Sequence, residues 1–246
     1  MKTFVIDGNI DGILSALFVS FTENIKPDAV EDKEVYQPTI GSVCINIETD
    51  KVNAERVKTA LFKYGGGDIV ALIRVCLRSC DKKRLTTAFN YGHLTLKTRT
   101  DISNRLGEKA VSDFSFTVQK VLHERHIVSG FLRFKESARG VLYAQYSPDN
   151  DITELLAPHF LRRLGNIPFI IHDLKRNLIA ISDGRHIKCT KTDLTPSFTP
   201  CEKEEYLNGL WKRYYNEINI KERKNLKQQD HFIPRRYRKY AFETWE

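Results

Sequence analysis

Hydrophobic and polar positions along this chain alternate between two periods, and each change marks an element. Residues 2–6 alternate into a short strand closed by Asp7-Gly8, after which Ile10, Ile13, Leu14, Leu17, Phe18 and Phe21 recur in steps of three and four and predict one face of a helix. Val43, Ile45 and Ile47 alternate again. Asp50 then opens a second helix, with Val57, Ala60 and Leu61 on its buried side and a stop at Gly65-Gly66-Gly67. From residue 69 to about 122 the pattern is helical, with breaks expected near Asp81, Tyr91-Gly92 and Asp101.

Beyond that point, residues 127–134 and 141–146 are rich in β-branched and aromatic side chains and flank Ala138-Arg139-Gly140, which predicts a hairpin. Ile152, Leu155, Leu156, Phe160 and Leu164 restore a helix, interrupted or kinked at Pro158 and capped by Gly165. Strands are predicted at 168–172, 178–182 and 187–190, the last two joined through Asp183-Gly184. Short turns favour antiparallel pairing. The expected fold is α+β: a mainly helical first half with N-terminal strands (1–122), then an antiparallel sheet and basic C-terminal helices (123–246), together one compact domain. A Pro-containing link at 195–200 separates sheet from final helices, and no internal repeat is evident.

Charge adds a partner class to this picture. Residues 210–239 carry ten cations (Lys212, Arg213, Lys221, Arg223, Lys224, Lys227, Arg235, Arg236, Arg238 and Lys239) against Glu217, Glu222 and Asp230. That excess of seven compares with a formal +8 for all 246 residues. Aromatic residues interleave with these charges, a pattern that suits a polyanion whose bases stack on rings while its phosphates meet Lys and Arg. Leu210, Trp211, Tyr214, Tyr215 and Ile218 nevertheless fall at the spacing of a core-facing helix stripe, and are expected to be buried. The run from Pro234 through Arg235, Arg236, Tyr237, Arg238 and Lys239 has no apolar period and is the stronger candidate for contact with nucleic acid.

Other signals exclude more than they assign. The opening residues turn polar before a signal peptide's apolar region, and no apolar run nears the ~20 residues of a membrane span, so a soluble cytoplasmic protein without membrane contact is expected. The five scattered cysteines are expected to be reduced. Cys76 and Cys80 lie one helical turn apart, but Lys83 stands where a third cysteine would complete an iron–sulfur ligand set. The triple glycine follows a helix and lacks a Gly-Lys-Ser/Thr, so it reads as a joint and not a phosphate loop.

Candidate chemistry gathers in the second half. His126, His159, His172 and Asp173 have the side chains of an acid–base pair or of metal ligands, provided that they converge. No HExxH or paired CxxC spacing fixes a metal locally, and no cofactor is assigned. Lys175 and Arg176, in a tight turn, suit a phosphate. Arg163 lies on the predicted helix and Arg133 within the predicted hairpin, where it faces solvent or pairs with a carboxylate such as Glu124.

The chain resembles the bacterial family called domain of unknown function 4130, a probable DNA metabolism protein. The matching pieces are IDGNIDGIL (6–14), HERHIVSGFLRF (123–134), PHFLRR (158–163), PFIIHDLKR (168–176), LWKRYYNEINIKERKN (210–225) and PRRYRKYAFE (234–243). The resemblance implies a radical-SAM partner acting on DNA and, in some relatives, fusion to a uracil-DNA glycosylase, for which this sequence lacks a Gly-x-Asp-Pro-Tyr-like loop. Phe169 stands where Trp is frequent in the family, and Arg238 where an aromatic is.

The leading reading is a DNA metabolism or repair protein that binds single- or double-stranded DNA through Arg133, Arg163, Lys175, Arg176, Arg223, Arg235, Arg236, Tyr237 and Arg238, with a radical-SAM protein as partner. An enzyme built on the histidines and an adaptor with a basic face are the alternatives.

Overall fold

The computed structural model of the protein describes residues 1–38, 40–66, 68–192, 201–218, 234–238 and 240, in two compact units bounded at Leu122 and His123. In the first unit β1 (Lys2–Ile6), β2 (Ala29–Asp32) and β3 (Val43–Asn46) form a parallel sheet of order β2-β1-β3. Parallel pairing needs a crossover, and α1 (Ile10–Thr22) provides it between β1 and β2. Asn9 caps α1 by accepting from Gly12 N at 2.9 Å, and Asp50 caps α2 (Lys51–Tyr64) through Val52 N at 2.8 Å and Asn53 N at 3.1 Å.

α3 (Ile69–Leu77), α4 (Arg84–Thr98) and α5 (Lys109–Phe131) follow, and the unit boundary falls within α5. Phe4, Ile6, Leu14, Leu17, Leu61, Ile73 and Phe89 are fully buried in the first unit's core. Two features depart from the sequence pattern. Strand β2 has little apolar character, but Thr86 Oγ1 accepts from Val30 N and donates to Val30 O, holding its backbone alongside β1. The break expected at Tyr91-Gly92 is absent, because Gly92 lies inside α4 where a Cβ would come within 2.9 Å of Leu17 Cδ1; the glycine serves close helix packing and not a turn.

The second unit corrects the expected hairpin. Residues 123–131 complete α5, and β4 is only Lys135–Glu136. Glu124, Val128, Phe131 and Leu132 are buried at steps of four, three and one, so packing of a helical face overrides the local strand preference of Ile127 and Val128. The sheet runs β4-β5-β6-β7-β8, with β5 (Leu142–Tyr146), β6 (Phe169–Asp173), β7 (Leu178–Ser182) and β8 (Ile187–Lys191). It is mixed: β5 and β6 pair in parallel, with Leu142 opposite Phe169, because α6 (Thr153–Leu164) is long enough to carry the chain back. The other neighbours are antiparallel, and the fold is α+β.

α6 runs unbroken through Pro158 and lies against β6, β7 and β8. The Phe134 ring meets Phe160 and Phe169 edge-on at 4.9 and 6.0 Å. α7 (Glu202–Ile218) and the short α8 (Arg235–Arg238) follow the sheet. The buried stripe expected on α7 is overturned, since Leu210, Trp211 and Tyr214 are 42%, 40% and 57% exposed. The side chains of Tyr215 and Ile218, and all of Lys221, Arg223, Lys224, Lys227 and Lys239, lie outside the described residues, as do Gly67 and the link at 195–200. No described helix is long and apolar enough to cross a membrane.

Candidate functional site

The polar groups of the second unit meet around one carboxylate. Glu124, on α5 and 6% exposed, accepts from Asp149 N at 3.0 Å, Asn150 N at 2.8 Å and Asn150 Nδ2 at 2.7 Å, all in the loop after β5. The buried Tyr237 hydroxyl and Arg236 Nη2, the latter at 3.3 Å, donate from α8 to Oε1, the oxygen that also accepts from Asp149 N. Burial pushes the Glu124 carboxyl upward, but Tyr237, the two backbone N–H groups and the Asn150 amide together outweigh it and leave it below the ordinary carboxylate range. Burial also pushes the Tyr237 phenol upward, well above its ordinary value, and the Glu124 carboxylate raises it further, so the proton stays on the phenol.

Arg236 extends this network to the surface. Its Nη2 lies 3.0 Å from Asp149 Oδ2, and Lys175 Nζ stands 3.9 Å from Asp149 Oδ1. Both cations are about half exposed, at 52% and 49%. The β6–β7 turn and the C-terminal basic segment, far apart in sequence, thus share one surface carboxylate.

Arg176 does something different from its neighbour. Its guanidinium donates to Asp173 Oδ2 at 2.9 Å, to Pro148 O at 3.2 Å and to Asp149 O, while Asp173 Oδ1 accepts from Lys175 N and Arg176 N at 2.9 and 3.3 Å. Asp173 is fully buried, so this Asx turn and ion pair hold the β6–β7 turn against the loop at 148–150. The three cations Lys175, Arg176 and Arg236 are balanced by Glu124, Asp149 and Asp173.

The remaining candidates are placed apart from this cluster. His126 is on an exposed position of α5 and Arg163 on an exposed position of α6. His172 is 2% exposed in β6, where its Nδ1 shares a 2.9 Å hydrogen bond with the Tyr143 hydroxyl. His159, on α6, sits edge-on to Phe160. Burial lowers the pKa of both histidines; Arg163, Arg162 and Arg125 lower that of His159 further, whereas Asp173 partly offsets the effect on His172. Among the described residues no three His, Cys, Asp or Glu side chains form a group that would hold a metal.

Arg133 lies beyond the end of α5, not in a strand, with its guanidinium 6.0 Å from the Trp211 ring centroid, and Glu124 is held by the groups named above. Arg235 is exposed and Arg238 half-buried on α8, and Arg223 is outside the described residues. Asp149 and Asn150 escaped the sequence reading, having no signal beyond their place in a Pro-Asp-Asn-Asp loop.

A family model for domain of unknown function 4130 matches residues 82–243. The chain belongs to that family. The family match spans α4 to the C-terminal basic segment and so contains every group of the Glu124 and Asp149 network; the opening motif at 6–14 precedes it. No curated protein matches the chain.

Proposed function

We propose that this member of the domain of unknown function 4130 family binds nucleic acid through a surface made jointly by the β6–β7 turn and the C-terminal basic segment. The observation that carries the reading is the approach of Lys175 and Arg236 to the two oxygens of the Asp149 carboxylate. Two half-exposed cations that close on one oxyanion have the geometry to grip another, and a phosphate exchanging with Asp149 would meet both. The charge excess over residues 210–239 supplies the sequence-independent attraction. Arg176 and Asp173 act in this reading as the internal tie that positions Lys175.

Work in DNA metabolism beside a radical-SAM protein is the finer part of the proposal and rests on the family resemblance.

The test is anisotropy of labelled single-stranded, duplex and uracil-containing DNA across a salt series, with wild type, Lys175→Ala and Arg236→Ala. Binding should weaken steeply with salt, and each variant should flatten the log–log slope by about 0.7–0.9 per phosphate contact removed. Equal slopes for wild type and both variants would rule out this surface. Binding of none of the DNAs at low salt would reject nucleic acid altogether and leave an acidic protein as the partner to seek.

A further inference from the structure

The aromatic face of α7 is not buried, and its chemistry points to a ligand. Leu207, Leu210, Trp211 and Tyr214 fall at helical spacing and are 40–57% exposed. The Trp211 and Tyr214 rings lie 5.6 Å apart and inclined by 31°, and the Arg133 guanidinium stands 6.0 Å from the Trp211 centroid. Arg213, on the same helix, is exposed. A core stripe would sit under other side chains; this one presents open ring surface with cations at its margin.

We propose that this face is a stacking platform for the unpaired bases of single-stranded nucleic acid. The inference rests on the nucleic-acid reading above and deepens it by assigning the strand form. Duplex bases are already stacked and offer these rings no π-face, whereas single-stranded bases stack on aromatic side chains whatever their sequence. Charge selects this occupant over an apolar protein surface: residues 210–227 carry Lys212, Arg213, Lys221, Arg223, Lys224 and Lys227 against Glu217 and Glu222. Phosphates flanking a stacked base would meet Arg133 and Arg213, while an apolar partner would have to desolvate them.

The experiment uses the full chain, a labelled oligothymidylate and a duplex of equal length, with Trp211→Ala, Tyr214→Ala and Trp211→Phe. Wild type should prefer the single strand by about tenfold at fixed salt. Trp211→Ala should weaken single-strand binding about tenfold or more, as loss of one stacked base does, with the salt slope unchanged and duplex binding unaffected. Trp211→Phe should recover most of the loss, and in a Trp245→Phe background binding should quench the Trp211 fluorescence.

Unaltered affinity in Trp211→Ala and Tyr214→Ala, with a steep salt slope retained, would overturn the platform and leave the phosphate surface standing. No binding of either nucleic acid would overturn both. Concentration-dependent self-association lost in Trp211→Ala, with single-strand binding intact, would make the face a contact between copies and overturn the proposal. Unchanged circular dichroism in the variants guards against misfolding.

Discussion

The Tyr237 hydroxyl donates to the Glu124 carboxylate across 113 positions of sequence, joining α8 to α5 inside the second unit. Both partners are buried, at 1% and 6% exposure, so water cannot replace either when the other is removed. Tyr237→Phe should therefore cost about 2 kcal/mol and Glu124→Ala, which strands several donors, about 3 kcal/mol or more. Urea unfolding of the two singles and the double gives the coupling. Independent, additive effects would show that the pair does not hold α8 in solution.

The same carboxylate sets an acid dependence. Its pKa is lowered in the folded state, so below the ordinary glutamate value of about 4.3 the unfolded chain binds the proton first. Stability from this site is fully present above that value and is lost as pH falls through the lower, folded pKa. Melting temperatures measured between pH 6 and pH 3 should fall more steeply for wild type than for Glu124→Gln. Parallel curves would remove Glu124 from the acid response.

Neighbouring residues in the β6–β7 turn should separate binding from stability. Arg176→Ala breaks the tie to Asp173, Pro148 and Asp149 and should destabilise by about 3 kcal/mol. Lys175→Ala should change stability by less than about 0.5 kcal/mol, since its ion pair with Asp149 is long and half exposed. Equal losses of stability would put both side chains in the same structural role.

Asp149 is the internal competitor for Lys175 and Arg236. Asp149→Asn removes that anion and should raise nucleic-acid affinity about two- to fivefold at low salt, the worth of an exposed ion pair. Weaker binding in this variant would mean that the carboxylate orders the cations and does not compete with the ligand.

In the first unit α1 packs so closely on the turn after β1 that Gly12, in its first turn, has no room for a side chain: a Cβ there would come within 2.2 Å of Asp7 O. Gly12→Ala should cost about 3 kcal/mol through forced backbone movement. Gly130→Ala, on α5 with open space around it, should be neutral or stabilise by up to about 1 kcal/mol. Thermal denaturation distinguishes them, and a tolerated Gly12→Ala would show that the turn shifts freely.

Much of the fold was legible because its cues are local. β1, α1, the Asp50 cap of α2, α6 with Gly165 behind it and the strands β6, β7 and β8 follow from period and turn chemistry within a few residues. The failures have non-local causes. Residues 127–131 belong to the stretch expected as a strand yet continue α5, because Glu124, Val128 and Phe131 are buried on one face of that helix. Tyr91-Gly92 resembles a break but admits Leu17 of another helix. Asp149 and Asn150 have no local signal, since their role comes from where the loop after β5 ends in space.

The sequence by itself determined the α+β class, the family and the concentration of positive charge toward the C-terminus. Tertiary structure decided the parallel pairing of β5 with β6, the burial of Glu124 under Tyr237, the diversion of Arg176 to internal bonds and the exposure of Trp211. Periodicity tells which residues share a face of an element. Which other element covers that face, or leaves it open, depends on contacts between residues distant along the chain, and only the folded molecule brings those together.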